Sequence, residues 1–146
     1  MIKFMKTLNN ISRSQAIYRY SRISAKDLQP SHYAFVLTVS ANPGRSQEEL
    51  AEELCINKST VARNLNTLEE KGYVKREPMP NDRRQLSVFP TEKMLAVLPE
   101  IRAVSQEWME KLSEGIAEEE LLVFDSVLKR MQKRAKIIIE ADEENK

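Results

Sequence analysis

Residues 46–72 constrain this chain more than any other stretch, because two helix starts and two helix stops fall within one short segment. Ser46-Gln47-Glu48-Glu49 is an S-x-x-E capping box, in which Ser46 and Glu49 can satisfy each other's backbone donors. Leu50, Ala51 and Leu54 then fall on one helical face, and Asn57 supplies a second N-cap shortly after Leu54. One helix must therefore end near Cys55 and another begin near Lys58. Two helices joined by so short a turn cross steeply, which is the helix-turn-helix geometry.

The second helix is predicted from about Lys58 to Lys71, with Gly72 as the residue that releases it. Val61, Leu65 and Leu68 cluster on one side, while Ser59, Arg63, Asn66 and Thr67 project from the other with Thr60 at its edge. That outward face bears hydrogen-bonding groups and almost no acid. A merely solvated face mixes Glu with Lys, as the neighbouring Glu48 to Glu53 face does, so the contrast between adjacent helices is the signal. Asn64 sits on the flank of the core face.

After Gly72 the period changes to two. Tyr73 to Glu77 and Arg84 to Phe89 read as strands around a turn-rich, partly basic tip, Pro78 to Arg83. A hairpin directly after a helix-turn-helix is a wing. On either side the spacing predicts only helices: Leu8 to Ala25, then a helix from Ser31 that the Asn42-Pro43-Gly44 turn stops. Beyond the wing, a long helix follows an N-cap at Thr91, with Pro99 inside it as a kink, unless the helix begins near Pro99. Gly115 separates that helix from a last one, where Leu121, Phe124, Leu128, Met131, Ala135 and Ile138 recur in steps of three and four. This stripe needs a partner, and the acidic tail from Glu140 to Lys146 is expected to fray. The fold class is thus mainly α with a small β wing, organised as 1–30, 31–93 and 94–146.

Composition narrows the function classes. Twenty-three basic and 22 acidic residues leave a net charge of only +1, which taken alone argues against a nucleic-acid partner. The sum conceals alternation. Residues 1–29 hold six basic and one acidic side chain, 30–57 one and four, 58–93 eight and five, and 94–146 eight and twelve. No apolar run approaches the ~20 residues a membrane span requires, and no secretory signal is visible at the N-terminus, so a cytoplasmic protein with no membrane partner is expected. The single Cys55 and single His32 exclude an internal disulfide and a Cys/His zinc cluster. No nucleophile, acid or Gly-rich phosphate loop stands at a catalytic spacing, so neither an enzyme nor a bound cofactor is expected.

Chained together, several segments carry a resemblance: Glu49-Leu50-Ala51-Glu52-Glu53-Leu54, Asn57-Lys58-Ser59-Thr60-Val61-Ala62-Arg63, Leu68 to Arg76, Asn81-Asp82-Arg83-Arg84 and Pro90-Thr91-Glu92-Lys93. In these the chain resembles the MarR family of bacterial transcription regulators over nearly its whole length. The resemblance implies a homodimer held by the first and last two helices, with a winged helix-turn-helix between them. It implies that the helix beginning at Asn57 enters the major groove of double-stranded DNA, and that Asp82 holds Arg84 at the minor groove. A narrow minor groove attracts a guanidinium through its enhanced negative potential. The sequence departs from the family at Cys55, where many relatives have glycine, at Ala62, at Asn64 and at Met94.

The expected function is a sequence-specific dimeric repressor of a pseudo-palindromic operator, released by a small molecule or an oxidant. The alternative is a winged-helix module that binds a protein and no specific DNA. Base-reading candidates are Ser59, Thr60, Arg63, Asn66 and Thr67, and wing candidates are Asp82, Arg83 and Arg84. Phosphate candidates are Ser46, Gln47, Lys58, Lys75 and Arg76. Cys55 is a candidate redox switch, although a small buried residue is the reading preferred for it. Tyr18, Tyr33 and Trp108 are candidates for an effector pocket, against the plainer reading that they are core.

Overall fold

The computed structural model describes residues 1–146. In chain order the elements are α1 (Met5–Arg22), a 3-10 turn (Pro30–His32), α2 (Tyr33–Ala41), β1 (Arg45–Ser46), α3 (Gln47–Leu54), α4 (Lys58–Glu70), β2 (Val74–Pro78), β3 (Leu86–Pro90), α5 (Glu92–Leu112) and α6 (Glu118–Glu144). The three strands form one antiparallel sheet in the order β1-β3-β2. Helices with a small wing are therefore what the sequence folds into. Met1–Trp108 form one compact unit and Met109–Lys146 a second.

The first unit is built around side chains that the helical and alternating patterns had marked as apolar. Phe35, Val36 and Val39 of α2 are buried with Leu50 of α3 and with Val61, Leu65 and Leu68 of α4, and the sheet adds Val74 and Val88. From α5, Met94, Leu98, Ile101 and Val104 complete this core. Burial of an aliphatic side chain contributes about 1.5–3 kcal/mol, so this cluster is what holds the short helices in place. Isolated helices of that length are marginal in water.

Each boundary has a local cause. Ser46 caps α3 by accepting from the Glu49 N–H at 3.0 Å, and its hydroxyl also lies 3.3 Å from Glu49 Oε1. Asn57 caps α4 through the Thr60 N–H at 3.0 Å. Both helices stop in the same way, with an N–H just past the end reaching back five positions: Ile56 to the Ala51 carbonyl, and Tyr73 to the Leu68 carbonyl. That wrap needs a left-handed residue. Gly72 supplies it at φ +81°, whereas Cys55 supplies it at φ +54° with a side chain attached.

The sheet contains a strand too short for alternation to show. Arg45 and Ser46 pair with Val88 and Ser87, on the edge of β3 opposite β2. On the other side the register runs from Val74 against Pro90 to Pro78 against Leu86. Arg84 therefore lies in the tip between the strands and not in the second strand.

Other boundaries move. α1 occupies Met5–Arg22, and Ile23 is extended and fully buried. Ser31 lies in the 3-10 turn, closed by the Gln29 N–H donating to His32 Nδ1 at 3.0 Å, and α2 begins only at Tyr33. Thr91 does stop the wing and start α5, since its hydroxyl accepts from the Met94 N–H at 3.3 Å and donates to the Gly72 carbonyl at 2.6 Å. α5 begins at Glu92 and runs through Pro99. Proline there lacks the N–H that the Leu95 carbonyl would receive.

In the second unit, α6 extends to Glu144, so most of the acidic tail is helical. No residue of α6 is buried, and Phe124, Met131 and Ile138 of its stripe stay exposed on the single chain.

Candidate nucleic-acid interface

The outer face of α4 is organised by bonds along the helix. Ser59 Oγ donates to Asn57 Oδ1 at 2.7 Å, Arg63 donates to Thr60 Oγ1 at 3.1 Å, and Thr67 Oγ1 donates to the Arg63 carbonyl at 3.2 Å. Ser59, Arg63 and Asn66 are exposed, Thr60 and Thr67 partly so. Asn64, turned to the flank, donates to the Thr60 carbonyl at 2.9 Å, which ties its amide back to the helix. The five candidate readers thus share one surface, with Val61, Leu65 and Leu68 pinning the opposite face to the core.

At the wing tip, Asp82 accepts from the Arg84 N–H at 3.1 Å and from Arg84 Nε at 3.3 Å through the same oxygen. The Met79 N–H to Gln85 carbonyl bond at 2.9 Å closes the loop behind them. The Arg84 side chain is 94% exposed, so Asp82 orients its base while the guanidinium reaches outward. Arg83 is exposed beside it. Between wing and helices lies a cleft of about 180 Å³ lined by Gln47, Glu48, Lys58, Arg84, Gln85 and Leu86. Lys58 stands 3.4 Å from Glu48 at its edge, an exposed pair that contributes little to stability and that a phosphate can displace.

The phosphate candidates divide. Gln47, Lys58 and Lys75 are at least partly accessible, with Lys75 3.0 Å from Glu77. Ser46 is buried, with its hydroxyl committed to capping α3, and offers nothing to an outside partner. Arg76 is not a free cation either. Its side chain is only 14% exposed and its guanidinium is engaged by three residues. It donates from Nε to Glu69 at 3.3 Å, from one terminal nitrogen to Gln47 Oε1 at 2.9 Å, and from the other to Asn66 Oδ1 at 2.5 Å and Glu69 at 3.1 Å. The bonds from Arg76 hold the Glu69 carboxyl below its ordinary pKa. The sequence hid this clamp because Arg76 reads as a solvent-facing strand position, although a base seven residues after Glu69 was a visible hint.

A second cluster also went unnoticed in the sequence. Asp27, in the segment after α1, accepts from the Tyr73 hydroxyl at 2.7 Å and from Lys93 at 3.2 Å, while Lys71 bonds its backbone carbonyl. The Tyr73 hydrogen bond, then Lys93, holds the Asp27 carboxyl below its usual range, and burial followed by that bond pushes the Tyr73 phenol up. These contacts fasten the base of the wing to the start of α5 and to the chain entering α2.

Cys55 is exposed in the left-handed turn between the two helices, contrary to the buried reading. Of the candidate effector residues, Tyr18 and Trp108 pack together with ring centroids 5.1 Å apart. Tyr33 is fully buried beneath the Arg19 guanidinium, 5.2 Å from its ring, and its hydroxyl and Arg19 Nε lack hydrogen-bond partners. Burial lowers the Arg19 pKa and raises that of Tyr33.

Comparison with known proteins agrees with this geometry. The MarR family model matches residues 26–85. The HTH-type transcriptional regulator YybA of Bacillus subtilis is 31% identical over 122 residues, covering 82% of this chain and 81% of that protein. Among solved structures, a MarR transcriptional regulator from Methanosarcina mazei superposes with a TM-score of 0.79 at 28% identity, over 90% of this chain and 96% of that one. A Listeria monocytogenes MarR family regulator complexed with a 26mer DNA shares the fold, with a TM-score of 0.85 at 22% identity over 92% and 89% of the two chains. With a capped helix pair, an acid-poor outer helix and an arginine-tipped wing in this order, the chain belongs to the MarR family of transcriptional regulators.

Proposed function

We propose that the chain is a homodimeric, sequence-specific DNA-binding repressor of a pseudo-palindromic operator. α4 enters the major groove through Ser59, Thr60, Arg63, Asn66 and Thr67, and the wing sets Arg84, with Arg83, against the minor groove while Asp82 holds it. Gln47, Lys58 and Lys75 contact phosphates. The observation that carries this reading is the acid-poor face of α4 beside an Arg84 that is 94% exposed yet tethered at its base by Asp82. A surface that bound only protein has no use for that pairing. The Listeria fold neighbour crystallised with DNA supports the same reading.

Dimerisation belongs to residues 1–30 and 94–146, which carry exposed apolar side chains such as Ile11, Ile17, Leu112 and Phe124. Two-fold symmetry sets the reading helices about 34 Å apart in the bound form, one turn of DNA. Release follows from a small molecule near Tyr18, Tyr33 and Trp108, or from oxidation of Cys55. The unpartnered Tyr33 hydroxyl and Arg19 Nε support the first route, and exposure of the thiol supports the second.

An electrophoretic shift with DNA from upstream of the protein's own gene tests the core of this reading. Sequence-dependent retardation that Arg84→Ala weakens is the expected result. Binding indifferent to both sequence and Arg84 overturns it. Adding aromatic acids, or peroxide to the wild type and to Cys55→Ser, separates the two release routes.

A further inference from the structure

The Arg76 clamp lies behind the reading surface, and it touches two residues that face DNA in the function proposed above. A guanidinium has only donors. Whatever amide it meets must turn its oxygen inward, and here the oxygens are Gln47 Oε1 at 2.9 Å and Asn66 Oδ1 at 2.5 Å. Glu69 fixes the guanidinium through Nε at 3.3 Å and through the terminal nitrogen that also serves Asn66 at 3.1 Å, and a further bond at 3.1 Å runs from the Arg76 backbone N–H to the same carboxylate. With only 14% of its side chain exposed, Arg76 holds this orientation from underneath. The Asn66 carboxamide is therefore presented to the outside by its NH2 group.

That orientation selects among bases. Asparagine recognises adenine by a pair of bonds, one donated to N7 and one accepted from the N6 amino group. With Oδ1 drawn back onto Arg76, the accepting half is lost and two donors remain. Guanine offers two acceptors, N7 and O6, on the same edge, whereas cytosine offers a donor. We propose that Arg76 is a positioning residue for sequence recognition, which converts Asn66 into a donor-only reader so that it selects guanine over adenine at one base pair of each half-site. This rests on α4 reading the major groove. The same clamp leaves the Gln47 NH2 for a phosphate, which accepts and never donates.

The test is enrichment of bound sites from a randomised double-stranded DNA pool, using the full-length wild type, Asn66→Ala, Asn66→Asp and Arg76→Met. The wild type is expected to enrich a motif with guanine favoured over adenine by about tenfold at one position per half-site, the size of a lost bidentate contact. Asn66→Ala levels that position alone. Asn66→Asp keeps an oxygen on Arg76 but presents an acceptor outward, and the preference at that position moves to cytosine. Arg76→Met frees the amide, and adenine rises there while the rest of the motif persists.

A wild-type motif in which Asn66→Ala levels an adenine, or in which Asn66→Asp brings no change of base, overturns the donor-only assignment and leaves the DNA-reading function standing. No enriched motif from the wild type overturns the function itself. If Arg76→Met does not fold, the two Asn66 variants, which leave the clamp's other contacts in place, still decide the matter. A purely structural role for Arg76 weakens all sites alike and leaves the identity of the preferred base unmoved.

Discussion

Cys55 and Gly72 occupy equivalent places, each ending a helix of the pair in the left-handed conformation, yet only one is glycine. A side chain there costs about 1–2 kcal/mol, and glycine gives back part of this through the entropy it holds when unfolded. Cys55→Gly is therefore expected to raise unfolding stability by about 0.5–1 kcal/mol, read from the denaturant midpoint with an unchanged slope. No change, or a loss, shows that the turn is unstrained. His32 makes a prediction of a different kind. Burial first, then the nearby Lys71 charge, lowers its pKa while Asp27 opposes, and its Nδ1 is occupied by the Gln29 N–H, so the folded state holds it neutral. Because the unfolded ring takes a proton more readily, this contribution is whole above the unfolded value, about 6.5, and is lost as pH falls through the lower folded one. Stability should decline on acidification below that point. His32→Asn, which keeps an acceptor for Gln29, should flatten the decline in denaturation measured from neutral to mildly acid pH.

Among the elements, α4 and the wing were largely legible because local chemistry specifies them. Asn57 caps, three apolar residues mark the inner face, and Gly72 ends the helix, all within hearing of neighbours a few positions away. What stayed hidden depends on residues distant in the chain. Arg76 meets Gln47 29 positions away and Tyr73 meets Asp27 46 positions away, and no periodicity announces either bond. β1, with two residues, has no alternation to read, so the sequence shows Ser46 as a cap but not that strand pairing buries it. On the outer surface the residues should separate by chemistry. Arg63→Ala is expected to weaken operator binding by about 1–3 kcal/mol with little change on random DNA, while Lys75→Ala weakens every sequence alike and lowers the salt slope by about one. Equal losses on both DNAs for Arg63→Ala assign it to the backbone.

For the molecule as a whole, the near-neutral charge is a sum of unlike parts. The stretch that carries α4 and the wing, residues 58–93, holds eight basic and five acidic groups, while residues 94–146 hold eight and twelve. Such segregation gives local attraction to DNA without the global surplus that makes binding indiscriminate. The apolar residues left uncovered on α6 should make the protein concentration-dependent in its stability, as an obligate pair of chains is. Phe124→Glu is expected to shift sedimentation towards a monomer and to weaken binding to a two-half-site DNA far more than to a single half-site. A variant that stays dimeric places the interface elsewhere.

Ser46 belongs to two structures at once. As the cap of α3 it sets where the helix pair begins, and as the partner of Ser87 it pins the central strand of the wing, with the Gly44 N–H bonded to the Val88 carbonyl at 2.8 Å alongside. Tilting the wing therefore pulls on the residue that caps the helix. In the DNA this has a counterpart: the number of base pairs between a major-groove contact and its minor-groove contact should be constant from one natural site to the next. Any variation in spacing should fall between half-sites, so aligned target sequences will show two rigid words and an elastic gap.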